Sequence, residues 1–231
     1  MKKILMILIS HSEMINTDRK TGLWIGEFTD PYYEFLDKGY EVALVSPKGG
    51  EPPIDPLSAA TENITASNRR FQNDEAAQQK FKNTQKLETV TVAEFDAVFI
   101  PGGHGPIWDL ATNETSGRII LDFLAQNKYV ASVCHGPAAL IKAAELQPGL
   151  LDGKRLTGFS NTEEAMAFLG DNVPYKLEDR LKELGADYHT GLIPYMSHTE
   201  KDGLFITGQN PLSAGPTAKA LIEALERNAS I

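Results

Sequence analysis

Alternation is the feature that most constrains this chain. Short β-branched or aliphatic runs, each the length of one buried strand, are separated by segments whose apolar residues recur at helical spacing. Strands are predicted over Lys3–Ser10, Glu41–Ser46, Ala97–Ile100, Tyr129–Val133, Arg155–Gly158 and Phe205–Gly208, with a weaker one over Ala186–Thr190. Helices are predicted over Trp24–Lys38, Thr115–Asn127, Pro137–Leu146, Thr162–Leu169, Leu177–Leu184 and Ser213–Asn228. Ser213 and Asn161-Thr162 supply N-cap chemistry for two of them. An α/β order of this kind predicts a doubly wound, mostly parallel sheet sandwiched by helices, with a ligand crevice beyond the carboxyl ends of the strands.

The 231 residues suit one domain, 1–231, and a composition 42% hydrophobic and 23% charged can bury a full core. From about 48 to 91 the pattern loosens into Gly49-Gly50-Glu51-Pro52-Pro53 and a polar stretch rich in Asn and Gln, with Phe71 and Phe81 at weak helical spacing. This polar excursion has too little apolar content to fold alone, and is expected to cover a sheet edge or build a dimer surface. With 31 acidic against 22 basic side chains, the surface lacks the positive field that nucleic acid or anionic lipid requires, so neither is an expected partner. A single cysteine excludes an intrachain disulfide. The apolar run Ile4–Ile9 behind Met1-Lys2-Lys3 stops at Ser10-His11-Ser12-Glu13, too soon for a signal peptide or a membrane span. A cytoplasmic location is therefore expected, where the sequons at Asn63, Asn113 and Asn228 carry no meaning.

Three segments could carry chemistry. In Ala131-Ser132-Val133-Cys134-His135-Gly136-Pro137 a buried strand runs straight into a helix. A nucleophile at such a turn projects above the sheet, and the free N–H groups of a following helix favour thiolate. A lone cysteine is otherwise a small buried hydrophobe. Phe99-Ile100-Pro101-Gly102-Gly103-His104-Gly105-Pro106 ends another buried strand in glycines, whose N–H groups can approach an oxyanion closely, although an ordinary connection has the same look. Glu27 follows Thr21-Gly22 and sits among Trp24, Ile25 and Phe28. Desolvation there would raise its pKa and let it share a proton with a thiol, whereas a plain helix-dipole role needs no such environment.

Together these segments resemble the PfpI/ThiJ superfamily, relatives of class I glutamine amidotransferase domains, in its glyoxalase III or heat-shock chaperone branch. The resemblance rests on Thr21-Gly22 with Glu27, Phe35–Gly39 with Glu41-Val42 and Ser46-Pro47, Pro101–Gly105, Val133–Pro137, Thr157-Gly158-Phe159, and Thr207-Gly208 with Asn210-Pro211. It implies a flavodoxin-like fold with Cys134 as nucleophile, Glu27 as the carboxyl at its sulfur and His135 as the histidine of the triad. Gly102, Gly103, His104 and the backbone of His135 fall on the oxyanion and substrate-binding positions. The acidic triad member falls on Glu164, with Glu163 as an alternative one residue away; without the family both would be an exposed first-turn pair. A homodimer is implied as well.

Two departures stand out. Ser132 occupies the position where glutaminase members have glycine, and their distant His-x-Glu pair is matched only by His198-Thr199-Glu200, which reads as a solvated turn before the strand near Phe205. His11 ends the first strand and could face the pocket, but a structural role is the expectation for it and for His189. Neither a dinucleotide-binding glycine pattern, a Walker loop nor a zinc-ligand spacing is present, so chemistry without cofactor or metal is expected. The implied activity is glutathione-independent conversion of methylglyoxal or a similar 2-oxoaldehyde to D-lactate. A cysteine peptidase or amidase, and a stress chaperone or redox sensor, are the alternatives.

Overall fold

The structure, a computed structural model, describes residues 1–15, 17–170 and 172–228, the last by its backbone. The Asn228-Ala229-Ser230 sequon therefore lies outside them apart from that backbone.

The strands are β1 (Lys3–Ile7), β2 (Glu41–Ser46), β3 (Gln85–Lys86), β4 (Ala97–Ile100), β5 (Tyr129–Val133), β6 (Arg155–Leu156), β7 (Asp187–Tyr188), β8 (Thr199–Asp202) and β9 (Phe205–Gly208). The helices are α1 (Ile25–Asp37), α2 (Ala66–Gln72), α3 (Glu75–Lys82), α4 (Glu114–Ala125), α5 (Ala139–Leu146), α6 (Asn161–Met166), α7 (Leu177–Glu183) and α8 (Ala214–Asn228). Seven strands form the main sheet in the order β3-β2-β1-β4-β5-β9-β8, parallel except for β8. Ile4 lies opposite both Val42 and Ala97, and Val98 opposite Val130, so the central strands are covered on both faces and read as unbroken aliphatic runs. Helix α1 packs on α8, and α4 on α5, which supplies the two helical layers. The strand order reverses at β1, so a crevice opens at the carboxyl ends of β1 and β4, beside that of β5. No described helix is long and apolar enough to cross a membrane.

Several expectations shift. The first strand ends at Ile7, because Leu8 N–H still reaches Val45 O while the N–H groups of Ser10 and His11 turn to the Asp109 carboxylate. The Arg155–Gly158 strand shortens to β6 and leaves the main sheet, pairing with β7 in a separate two-stranded sheet. An unforeseen strand, β8, forms instead where a solvated turn was read. The two-residue loop Gly203-Leu204, with Gly203 at φ +56°, folds β8 back antiparallel on β9. Ser160, rather than Asn161-Thr162, caps α6, and Asn210 caps the 3₁₀ turn Pro211–Ser213 that feeds α8.

The polar excursion carries α2, α3 and β3. Its base is closed by a bridge between Gly50 and Thr84, and β3 extends the sheet beyond β2. Its few apolar residues are its anchors: Phe71 and Phe81 pack on Phe28 of α1, with ring centroids 5.6 and 5.0 Å away.

Candidate active site

Three strand ends converge on one sulfur. Cys134 follows β5 and adopts φ +58°, a left-handed conformation that costs a non-glycine residue about 1 kcal/mol or more and persists only where neighbours impose it. Here its N–H donates to Gly208 O at 3.0 Å, and its carbonyl accepts from Phe159 N–H at 2.9 Å. The sharp turn lifts the side chain into a cavity of about 490 Å³, walled by Trp24, Gly103, His104, Phe159, Tyr195 and Leu212 among others.

Glu27, in the first turn of α1, is fully buried. Its Oε2 accepts from the Gly102 N–H at 2.8 Å, and its carboxyl group faces the Cys134 thiol. Burial raises its pKa to about 8, so at neutral pH the group carries its proton. For the thiol, burial and then the Glu27 charge push the pKa up, opposed by the Gly103 N–H. The charge contribution acts only once Glu27 ionises, because thiol and carboxyl titrate as a pair. The helix end beside the sulfur is a 3₁₀ turn at Gly136–Ala138 that runs directly into α5 at Ala139, and burial outweighs any help it gives the thiolate. Burial and the neighbouring Glu27 govern the ionisation of the sulfur.

His135 Nδ1 lies 3.5 Å from Cys134 Sγ, and its Nε2 meets Glu164 Oε2 at 2.8 Å. Burial, and next the neighbouring His104, push the imidazole down to about 4, leaving it neutral at pH 7. With Nε2–H given to the carboxylate, Nδ1 offers its lone pair to the thiol. The other oxygen of Glu164 takes His104 Nε2, also at 2.8 Å, and the two imidazole centroids are 4.1 Å apart. Burial raises the Glu164 pKa, but the His135 charge and the hydrogen bonds from both imidazoles outweigh it and hold the carboxyl well below its usual range. His104, His135 and Glu164 are also the group of metal-ligating atoms, all within 4.8 Å, that the described residues assemble; in the structure Glu164 bonds both histidines, one with each oxygen.

The adjacent glutamates divide cleanly. Glu163 is buried at the third position of the α6 capping box, its Oε2 accepting from the N–H and hydroxyl of Ser160. Its Oε1 accepts from Tyr195 N–H, Gln209 and Asn210. Neither oxygen reaches a histidine; Glu164 alone contacts His135. Both are buried, which corrects the exposed first-turn pair that the residues alone suggested.

Gly103 can form an oxyanion donor, and its φ of +86° and the Gly22 carbonyl crowding its Cα exclude any side chain there. Gly102 cannot, because its N–H is engaged by Glu27; the expectation for this residue is corrected. His104 enters the site through its imidazole. His198 and Glu200 pair at 3.0 Å, half-buried at the edge strand and away from the sulfur cavity, rather than in a solvated turn. His11 stacks on Trp108 at 5.0 Å, and His189 pairs with Asp187 at 3.0 Å. Tyr195 and Phe159 escaped the sequence reading as cavity walls; only the position of Phe159 after Thr157-Gly158 could have marked one of them.

The profile of the DJ-1/PfpI family matches residues 25–224. The chain is 30% identical to the glutathione-independent glyoxalase HSP31 of Saccharomyces cerevisiae, over 97% of this chain and 98% of that protein. Its structure superposes on glyoxalase III of Candida albicans with a TM-score of 0.85 and 27% identity, covering 96% of this chain and 97% of that one. Rapid Encystment Protein 24 KDa of Francisella tularensis superposes with a TM-score of 0.92 and 41% identity, over 97% and 99% of the two chains. From the doubly wound sheet, the strained cysteine turn and these matches along nearly its whole length, the chain belongs to the DJ-1/PfpI family.

Proposed function

We propose that this protein is a glutathione-independent glyoxalase that converts methylglyoxal, or a similar 2-oxoaldehyde, to D-lactate or the corresponding hydroxy acid through Cys134. The observation that carries the reading is the neutral His135 imidazole, aimed by Glu164, 3.5 Å from a sulfur that opens into a cavity. The thiol adds to the aldehyde carbon as its proton passes to His135 Nδ1. The hemithioacetal oxyanion is met by the Gly103 N–H, with the His135 backbone N–H as the second donor. Transfer of hydrogen from the first carbon to the second through an enediol oxidises one carbon and reduces the other, so no external oxidant is required. Water then releases the acid from the thioester and restores the thiol.

Glu27 serves this sequence by holding its proton at neutral pH. A carboxylate beside the sulfur would oppose thiolate character, whereas a neutral carboxyl does not. The cavity is within the range of drug-sized ligand sites and larger than a three-carbon aldehyde fills. Its aromatic walls suit aryl 2-oxoaldehydes such as phenylglyoxal.

The test is turnover without glutathione. Purified protein should consume methylglyoxal and form lactate, and Cys134→Ala should not; cleavage of a peptide or amide with methylglyoxal untouched would give the site to a hydrolase instead. A second reading, client holding, is favoured by the exposed apolar side chains of Phe168, Leu192, Ile193, Met196 and Leu212 on segments bordering the cavity. It predicts that Cys134→Ser still suppresses client aggregation. The working assembly in this reading is a cytoplasmic homodimer, which sedimentation at assay concentration would contradict by showing a monomer.

A further inference from the structure

The proposed reaction leaves one role unfilled, since a base must take hydrogen from the first carbon of the hemithioacetal and return it to one face of the second. His135 is fully buried and turned to the sulfur. Glu27 is fully buried, tied to Gly102 and carries a proton at neutral pH, so it is not a base for a C–H proton. His104 differs from both. Its residue retains 8% exposure and lines the cavity beside Gly103 and Cys134. Its Nε2 is hydrogen-bonded to Glu164, and no described residue bonds its Nδ1. With Nε2–H given to the carboxylate, Nδ1 keeps an unengaged lone pair on the cavity side.

Resting on the glyoxalase reading, we propose that His104 is a second catalytic histidine, which moves the substrate C–H proton while His135 serves the sulfur, the two joined by the one Glu164 carboxylate. His135 first returns the thiol's proton to the hemithioacetal oxygen, which restores its own neutral imidazole. His104 Nδ1 then takes the hydrogen of the first carbon as a proton, and the released electron pair forms the carbon–carbon double bond of an enediolate. Next His104 returns the proton to the second carbon, and the hydroxyl of the first carbon passes its proton to the neighbouring oxygen. The products are a thioester and a hydroxyl, with no atom gained or lost. Each imidazolium forms against an oxygen of Glu164 at 2.8 Å. The carboxylate thus stabilises one positive charge at a time, first on one side and then on the other.

The experiment compares the parent with His104→Asn and His104→Gln on [1-²H]methylglyoxal, reading kcat, lactate enantiomer composition, deuterium at the second carbon and Cys134 alkylation by iodoacetamide. Both side chains can still donate to Glu164 but cannot accept the proton. The expected result is a fall in kcat of ~10²–10⁴-fold, the effect of removing a positioned acid–base group. The residual product should lose both enantiomeric purity and retained deuterium, with alkylation unchanged to about twofold because the Cys134–His135 pair is intact. Parental rates with a single enantiomer overturn the inference. So does an equal fall of turnover and alkylation, which would make His104 a positioning residue. A parent chain that leaves methylglyoxal unchanged overturns the glyoxalase reading as well, which separates the two failures.

Discussion

The floor and the mouth of the cavity are built by different rules. The floor is made of strand ends: Cys134 after β5, Gly102–His104 after β4, and Glu27 in the first turn of the helix that follows β1, all buried, with Glu27 bonded to Gly102 and with His104 and His135 both bonded to Glu164. The mouth is made of connections, with Leu212 exposed on a 3₁₀ turn and Tyr195 at φ +61° between the exposed Ile193 and Met196. Tertiary packing fixes the floor, so small changes there should be expensive; the mouth touches solvent and should tolerate change. On the proposed function, chemistry belongs to the floor and substrate choice to the mouth.

The contrast is sharpest at Cys134→Ala, for which turnover should drop to the level of buffer, since no other thiol exists in the chain. Glu164→Gln comes next. Loss of the charge that supports two imidazoles should lower kcat ~10²–10³-fold, with far-UV circular dichroism unchanged. The neighbouring Glu163→Gln should do the reverse. It leaves buried donors from Ser160, Tyr195, Gln209 and Asn210 poorly matched, so stability should fall by about 3 kcal/mol in urea titrations while residual folded enzyme keeps its kcat. If instead Glu163→Gln lost activity with stability intact, the division between the two glutamates would be wrong.

The pH profile gives a smaller effect with a definite sign. Activity needs His135 neutral and Glu27 protonated, so the rate should fall below about pH 4 and above about pH 8, with a plateau between. Because folding raises the Glu27 pKa, the folded state binds that proton more tightly, and the stability linked to it is lost as pH rises from the unfolded value toward 8. Glu27→Gln, a permanently neutral side chain, should retain part of the rate and abolish the alkaline limb. An unchanged limb would remove Glu27 from control of the sulfur. Smallest of all, Leu212→Ser should alter KM for phenylglyoxal by about threefold and leave kcat for methylglyoxal alone.

The same contrast explains what could be read from sequence. Buried parallel strands announce themselves as aliphatic runs, and a nucleophile turn between one of these and a helix is visible in Val133–Pro137. Strand β8 was hidden because an edge strand needs no apolar face, and Thr-Glu-Lys-Asp has none; the glycine of its two-residue turn was the available signal. Glu163 and Glu164 could not be ranked by spacing, although Ser160-Asn161-Thr162-Glu163 has the pattern of a capping box and would have assigned Glu163 to the helix end. No local pattern could show that His104 and His135, from two different strands, share one carboxylate. That contact joins residues 60 positions apart and exists only once the sheet brings the strand ends together. A thiolate at Cys134 is opposed chiefly by burial of the sulfur, which no local sequence pattern displays.

The account turns on a covalent bond between Cys134 and the substrate. Rapid quenching of the enzyme during turnover of methylglyoxal, followed by peptide mass spectrometry, reads that bond directly. The account predicts a mass increase of one methylglyoxal on the peptide bearing Cys134, rising and decaying with lactate formation. Steady lactate production with that peptide unmodified throughout would contradict it.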